Sequence, residues 1–111
     1  MSSDAFPKAG HTICVDFDGV IHKYSKGFQD GEIYDPPIEG AIDALHKLKE
    51  RGYNVVILTS RNNTIPKVKE WVKKYLGPDI EVTNRKLPAL AYIDDRAIRF
   101  TNWDDILRYF T

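Results

Sequence analysis

Apolar positions along this chain fall into short unbroken runs and longer stretches with helical spacing. His11 to Phe17 is a short run, apolar through its middle rather than alternating, as expected of a strand buried on both faces of a parallel sheet. Tyr53 to Thr59 is a second, β-branched run of the same kind. Ile80 to Val82 and Leu90 to Ile93 predict two shorter strands, and Ile98 to Phe100 predicts a last edge strand. Ile38 to Arg51 has helical spacing: Ile38, Ala41, Ile42, Leu45 and Leu48 form one stripe, with Glu39, Asp43, Lys47, Lys49 and Glu50 facing water. Gly52 then stops that helix. Thr64 to Leu76 is a second helix, with Ile65, Val68, Trp71, Val72, Tyr75 and Leu76 on one side. Thr64 is placed as its N-cap, and Pro66 falls in the first turn, where proline is tolerated. Asn102 caps a terminal helix whose Trp103, Ile106, Leu107 and Phe110 are placed to cover the sheet.

One stretch resists this reading. Ile21 to Pro37 holds Tyr24, Phe28 and Tyr34 among Lys23, Lys26, Gln29 and Asp30, with an Asp30-Gly31 turn near its middle. It fits a small β-hairpin flap and, equally, a surface loop with its aromatics tucked onto the core. Met1 to Gly10 reads as a short polar tail. Strands alternating with helices at this spacing predict an α/β fold, a three-layer Rossmann-like sandwich with a mostly parallel sheet. Right-handed crossovers would put helices on both faces. Ligands of such sheets bind beyond the carboxyl ends of the strands, at a topological switch point.

Composition narrows the picture. The 111 residues suit a single domain with one core. Sixteen basic and 16 acidic residues cancel, which disfavours a general electrostatic nucleic-acid binder. Cys14 is the single cysteine, lies inside an apolar run and reads as a small core residue, which favours a reducing compartment. No apolar run approaches the roughly 18–20 residues that span a membrane, and the N-terminus lacks a signal-peptide core. The expected location is the cytosol, with no membrane partner.

The candidate chemistry lies at the predicted strand ends. The first strand delivers Asp16-Phe17-Asp18-Gly19, two carboxylates two residues apart followed by a turn. If the strand runs through both, they share a face; if it ends near Asp16, Asp18 sits on the turn and can swing over the same volume. Gly19 lets the backbone come close to a ligand. A polar turn at a strand end is the plainer explanation of this stretch taken alone. The second strand, however, ends in Thr59-Ser60-Arg61 and the fourth in Asp94-Asp95-Arg96, with Arg85-Lys86 just before. Parallel strands would gather all of these at one edge, where acids, hydroxyls and cations suit a divalent metal and a phosphate.

Asp16-Phe17-Asp18-Gly19-Val20, Thr59, Lys86 and Asp94-Asp95 resemble, in order, the four motifs of the haloacid dehalogenase superfamily. The resemblance covers Ile13 to Asp95. It implies that Asp16 attacks phosphorus to form an aspartyl-phosphate and that Asp18 protonates the leaving oxygen and later activates water. It implies Mg²⁺ held by Asp16, the Asp18 backbone carbonyl and Asp94, with Asp95 in or near the outer ligands. Thr59, with Ser60 as helper, would bind the phosphoryl group, and Lys86 would offset its charge and steady Asp16. Asp18 must carry a proton for the first step, which neighbouring carboxylates would favour by repulsion. Dehalogenases of this superfamily lack that second acid, so its presence points to phosphoryl transfer.

The spacing leaves no room for a cap domain, so the chain looks like a minimal, capless member. An open site suits a phosphorylated small molecule or the exposed end of a macromolecule, or is closed by a second subunit in a homo-oligomer. The segment from Lys23 to Tyr34 and the cations Arg61, Arg85 and Arg96 would then choose the substrate. Aromatics that can stack on a base make a nucleotide or nucleic-acid phosphate end the first expectation, with phosphoprotein and sugar phosphate as the others. A non-catalytic phosphoacceptor domain is the rival reading. Its receiver-type pattern differs here, because the acidic pair follows the Asp16 position instead of preceding it. A structural or inhibitory module without turnover is a third reading, against which every motif position is intact.

Overall fold

The structure, a computed structural model, describes residues 11–110; the polar tail expected before them lies outside the described residues. Four strands form one all-parallel sheet: β1 (Thr12–Asp16), β2 (Asn54–Leu58), β3 (Glu81–Thr83) and β4 (Ala91–Ile93), in the order β3-β2-β1-β4. Three helices accompany them: α1 (Ala41–Glu50), α2 (Ile65–Leu76) and α3 (Trp103–Arg108). The α/β fold with a mostly parallel, Rossmann-like sheet expected from the alternation is therefore present, with every strand pairing parallel, and α1 and α2 both pack into the core on one face.

The chain steps outward from β1 to β2 to β3 and then returns past β1 to β4. That reversal puts the switch point between β1 and β4. Strand alternation sends Ile13 and Val15 to one face and Thr12, Cys14 and Asp16 to the other. The first set, continued by Phe17, joins Val55, Ile57 and Val82 of the sheet with Leu45 of α1 and Val68, Trp71, Val72 and Leu76 of α2 in one buried core. Phe17 and Ile57 are fully buried, so truncating either to Ala removes a side chain worth about 2–5 kcal/mol in such a site. On the opposite face Cys14 is also buried, and burial, more than its charged neighbours, pushes its thiol up, as suits a core residue.

Several expectations change. α1 starts at Ala41 rather than Ile38, because the Ile38 N–H donates to Ile21 O (2.7 Å) and Gly40, at φ 89°, makes the turn into the helix. Thr64 does precede α2, but its hydroxyl caps nothing; it accepts a hydrogen bond from Arg61 Nη1 instead (3.2 Å). No strand forms at Ile98 to Phe100, and β4 is the sheet edge. Asn102 caps α3 as expected, accepting from Asp105 N at 2.9 Å. The helix does not bury its stripe, however: Trp103, Leu107 and Phe110 stay exposed, and Phe100 turns its ring onto Trp103 instead of pairing with β4. Among the described residues, no helix is long and apolar enough to cross a membrane.

The 21–37 segment is a loop, not a hairpin flap. Its turn is of the hairpin kind, with positive φ at both Asp30 and Gly31 and Glu32 N donating to Gln29 O (2.9 Å). No ladder follows because side chains take the backbone groups: Tyr34 Oη donates to Gly27 O and accepts from Lys26 N, and Asp35 accepts from Ser25 N. Tyr24 and Tyr34 pack around His22, as the loop alternative expected, while Phe28 does not.

Candidate active site

Register fixes which residues meet at the sheet edge. Val15 pairs with Ile93, so one step further on Asp16 and Asp94 come level across the switch point. Asp16 pairs with Leu58, which brings Thr59 level with Phe17 on the other side. The buried runs of β1 and β2 hold these ends rigidly, which is what a preorganised polar cluster needs.

Asp16, Asp94 and Asp95 form one acidic group, each offering a carboxylate oxygen within 4.8 Å of the others. Burial, then the charges of Asp94, Asp95 and Asp18, raise the Asp16 carboxyl to about 6, against an opposing hydrogen bond from the Phe17 backbone. Asp94 Oδ1 accepts from Arg96 N (2.7 Å), closing a short turn that aims the pair. Gly19 is needed here twice over. Its φ is +87°, and a Cβ on it would lie 2.5 Å from Asp95 Oδ2.

A pocket of about 240 Å³ opens beside this group, lined in part by Asp16, Thr59, Ser60, Asn84, Lys86 and Asp94. Thr59 is buried and its Oγ1 accepts from Arg61 N (3.1 Å), which fixes the start of the loop after β2. Lys86 shares the pocket but, among the described residues, makes no ion pair with Asp16. Its ammonium sits 4.6 Å from the centre of the Tyr92 ring, a cation–π contact, and the expectation that it steadies Asp16 is corrected accordingly.

Asp18 departs most from expectation. β1 ends at Asp16, so Asp18 lies on the turn, and its carboxylate faces Arg61 and His22 rather than the acidic group. Arg61 grips it with two prongs, Nε to Oδ2 at 2.8 Å and Nη2 to Oδ1 at 3.0 Å. His22 Nδ1 adds a third contact at 2.8 Å. Burial alone would raise the Asp18 carboxyl, but these hydrogen bonds and charges hold it below the usual range. This arrangement disfavours the proton expected on Asp18, because the Arg61 and His22 donors outweigh the effect of burial.

Of the three cations expected to meet substrate, Arg61 alone is built into the site. Its Nη1 also donates to Gly31 O (2.6 Å), so one side chain ties β1, the 21–37 loop and the start of α2 together. Arg85 and Arg96 are exposed, and each donates its backbone N–H, to Thr83 and Asp94 respectively.

Sequence reasoning passed over His22. It is fully buried against Phe17, Tyr24, Tyr34 and Trp71. Asp35 N donates to its Nε2 (3.1 Å), which leaves the ring proton on Nδ1, pointing at Asp18. A histidine four residues after Asp18, beyond a glycine turn, is the signal that could have found it. A larger pocket, about 610 Å³ between α1 and Tyr75, gathers none of this chemistry.

No family model and no curated protein match the chain. Among solved structures it is similar to that of a conserved protein coded by a locus from Bacteroides thetaiotaomicron, at 24% identity and a TM-score of 0.62, over 89% of this chain and 88% of that one. At that identity the likeness carries the fold alone, an α/β architecture with a parallel, Rossmann-like sheet.

Proposed function

We propose that this chain is a Mg²⁺-dependent phosphomonoester hydrolase that works through an aspartyl-phosphate on Asp16. One observation carries the reading: Asp16 meets Asp94 and Asp95 at the switch point and shares a pocket with Thr59 and Lys86. The acidic group fits the metal. Its three hard oxygen donors lie within 4.8 Å of one another, and the repulsion that helps raise Asp16 is what a divalent cation relieves. Asp16, Asp94 and Asp95 would hold it, with the Asp18 backbone carbonyl as a further donor. Once bound, Mg²⁺ supplies positive charge to the phosphoryl oxygens.

The remaining work falls to the chain. An Asp16 oxygen attacks phosphorus, and the ester P–O bond breaks as the carboxyl O–P bond forms. The departing oxygen takes a proton. Water then attacks the same phosphorus, releasing inorganic phosphate and returning Asp16 as a carboxylate. Thr59 and Ser60 hold phosphoryl oxygens by their hydroxyls, and Lys86 offsets the charge from across the pocket. Asp18 carries the proton in both directions, which requires the Arg61 pair to open as substrate enters; while that pair is closed, both carboxylate oxygens are engaged by Arg61. The open site admits a small phosphomonoester or the phosphorylated end of a larger molecule.

Purified protein assayed on an aryl phosphate, nucleotides and phosphopeptides tests this. Turnover is expected with Mg²⁺, lost in EDTA and lowered at least about 10³-fold by Asp16→Asn. Turnover that survives the substitution would overturn the reading. The Arg61–Asp18 pair favours one alternative, a phosphoacceptor domain in which Asp16 is phosphorylated but not rapidly hydrolysed. A stable, transferable phosphate on Asp16 without turnover would select it.

A further inference from the structure

A second concavity, about 460 Å³, lies between the 21–37 loop and the start of α2. Its wall runs from Asp18, Ser60 and Arg61 past Asn62, Asn63 and Thr64 to Tyr24, Phe28 and Asp30. Ser60 also lines the Asp16 pocket, so the two cavities share a rim residue. The volume falls in the range of small-molecule sites, roughly 300–1,000 Å³, and the lining mixes aromatic rings with a few polar groups, as such sites do.

The loop is built to hold Phe28 out. Tyr24 at φ 58°, Gly27 at 66°, Asp30 at 53° and Gly31 at 80° all adopt left-handed backbone. For a residue as bulky as tyrosine that conformation is costly and persists only where the surroundings over-determine it. Here they do. Tyr34 bonds the backbone of both Lys26 and Gly27, Gln29 Nε2 donates to Lys26 O, and Arg61 Nη1 donates to Gly31 O. Tyr24 and Tyr34 turn their rings inward onto His22, yet Phe28 remains 72% exposed on the pocket wall. A pinned loop presenting one bare ring is a preorganised stacking platform. Also on the pocket wall, Asn62 Oδ1 accepts from Asn84 Nδ2 (2.8 Å), which orients the Asn62 amide and leaves its NH₂ to donate. Asn62, Asn63 and Asp30 thus supply both donors and acceptors, the pattern that the polar edge of a flat heterocycle requires.

We infer that this pocket binds a nucleobase stacked on Phe28, making the organic half of the substrate a nucleoside. Its place in the reaction rests on the phosphohydrolase reading, since the shared rim at Ser60 would lead the attached phosphate toward Asp16. The binding itself does not rest on that reading. Base-on-aromatic stacking tolerates different bases, so both purine and pyrimidine nucleosides are accommodated.

The test uses the full chain titrated with adenosine, cytidine and ribose, followed by calorimetry and by amide shifts of residues 28, 62 and 63. Both nucleosides are expected to bind saturably, ribose not at all. Phe28→Ala is expected to weaken nucleoside binding about tenfold or more and Phe28→Tyr to retain it. Phe28 is exposed, so neither change removes core packing, which circular dichroism checks. Absence of nucleoside binding, equal binding by Phe28→Ala, or ribose binding as tight as either nucleoside would overturn the inference. Failure of the phosphohydrolase reading shows separately, as no Mg²⁺-dependent turnover of any phosphomonoester, glycerol phosphate included, while nucleoside binding persists.

Discussion

Asp16 shows how one residue's surroundings become a measurable property of the fold. Burial, with the neighbouring acids, raises its carboxyl to about 6, whereas an unperturbed aspartate titrates near 3.8. Between those values the folded state binds more protons than the unfolded one, so stability falls as pH rises through that window and stays lower above it. Asp18 acts the other way and elsewhere: its carboxyl is lowered, so its contribution is present above 3.8 and is lost as pH falls further. Melting temperatures in EDTA are therefore expected to drop from pH 4 to pH 6, and Asp16→Asn to flatten that slope and stabilise the metal-free protein at pH 7. A slope unchanged by the substitution would assign it to another group. Gly19 offers a second check. Gly19→Ala forces a side chain into left-handed backbone and against Asp95, with an expected cost of about 1–3 kcal/mol by thermal melting and a weaker Mg²⁺ titration. Asp16, Gly19 and the Asp94-Asp95 pair were legible in the sequence because each lies just beyond a short apolar run, although only the first of those runs, β1, is buried and β4 is exposed. The state of Asp18 was not, since its partners Arg61 and His22 lie 43 and four residues away, and nothing local announces the first.

At the scale of elements, β1, β2, β3 and the two long helices could be read from periodicity because a single core takes up their buried apolar positions. The failures have physical reasons. Asp30-Gly31 makes a hairpin-type turn, but Tyr34 and Asp35 satisfy the backbone that a ladder would have used. The apolar stripe of α3 is real in the sequence, yet among the described residues nothing buries its Trp103, Leu107 and Phe110, and periodicity cannot say what a face meets. The element that depends most on one side chain is the 21–37 loop, held to β1 and α2 by Arg61. Arg61→Ala leaves a partly buried Asp18 carboxylate with His22 alone and releases Gly31 O. The expected loss is about 2–3 kcal/mol in urea unfolding, at the low end for a broken buried pair because Asp18 is 20% exposed. Arg61→Lys is expected to restore little, since an ammonium cannot form the two-pronged contact. Full recovery in the lysine variant would mean that charge, not geometry, secures the loop.

In the whole molecule, strand order and register do the assembling. A reversal between β1 and β4 brings residues 78 positions apart in sequence, Asp16 and Asp94, to one height on the sheet edge. The same edge divides into an acidic pocket around Asp16 and a second cavity under the loop, with Asp18 turned toward the latter. The sequence order of Asp16, Thr59, Lys86 and Asp94 pointed to the first pocket. The second needed the loop's conformation, which no periodic pattern encodes. The central claim is that phosphorus is transferred to the Asp16 carboxylate. Its most direct test is a single turnover on a phosphomonoester with Mg²⁺, quenched in acid, reduced with borohydride and read by peptide mass spectrometry. Conversion of Asp16 to homoserine, the mark of a trapped acyl phosphate, is the expected result. Release of phosphate with Asp16 unmodified at every quench time, or with the mark on another carboxylate, would contradict the account.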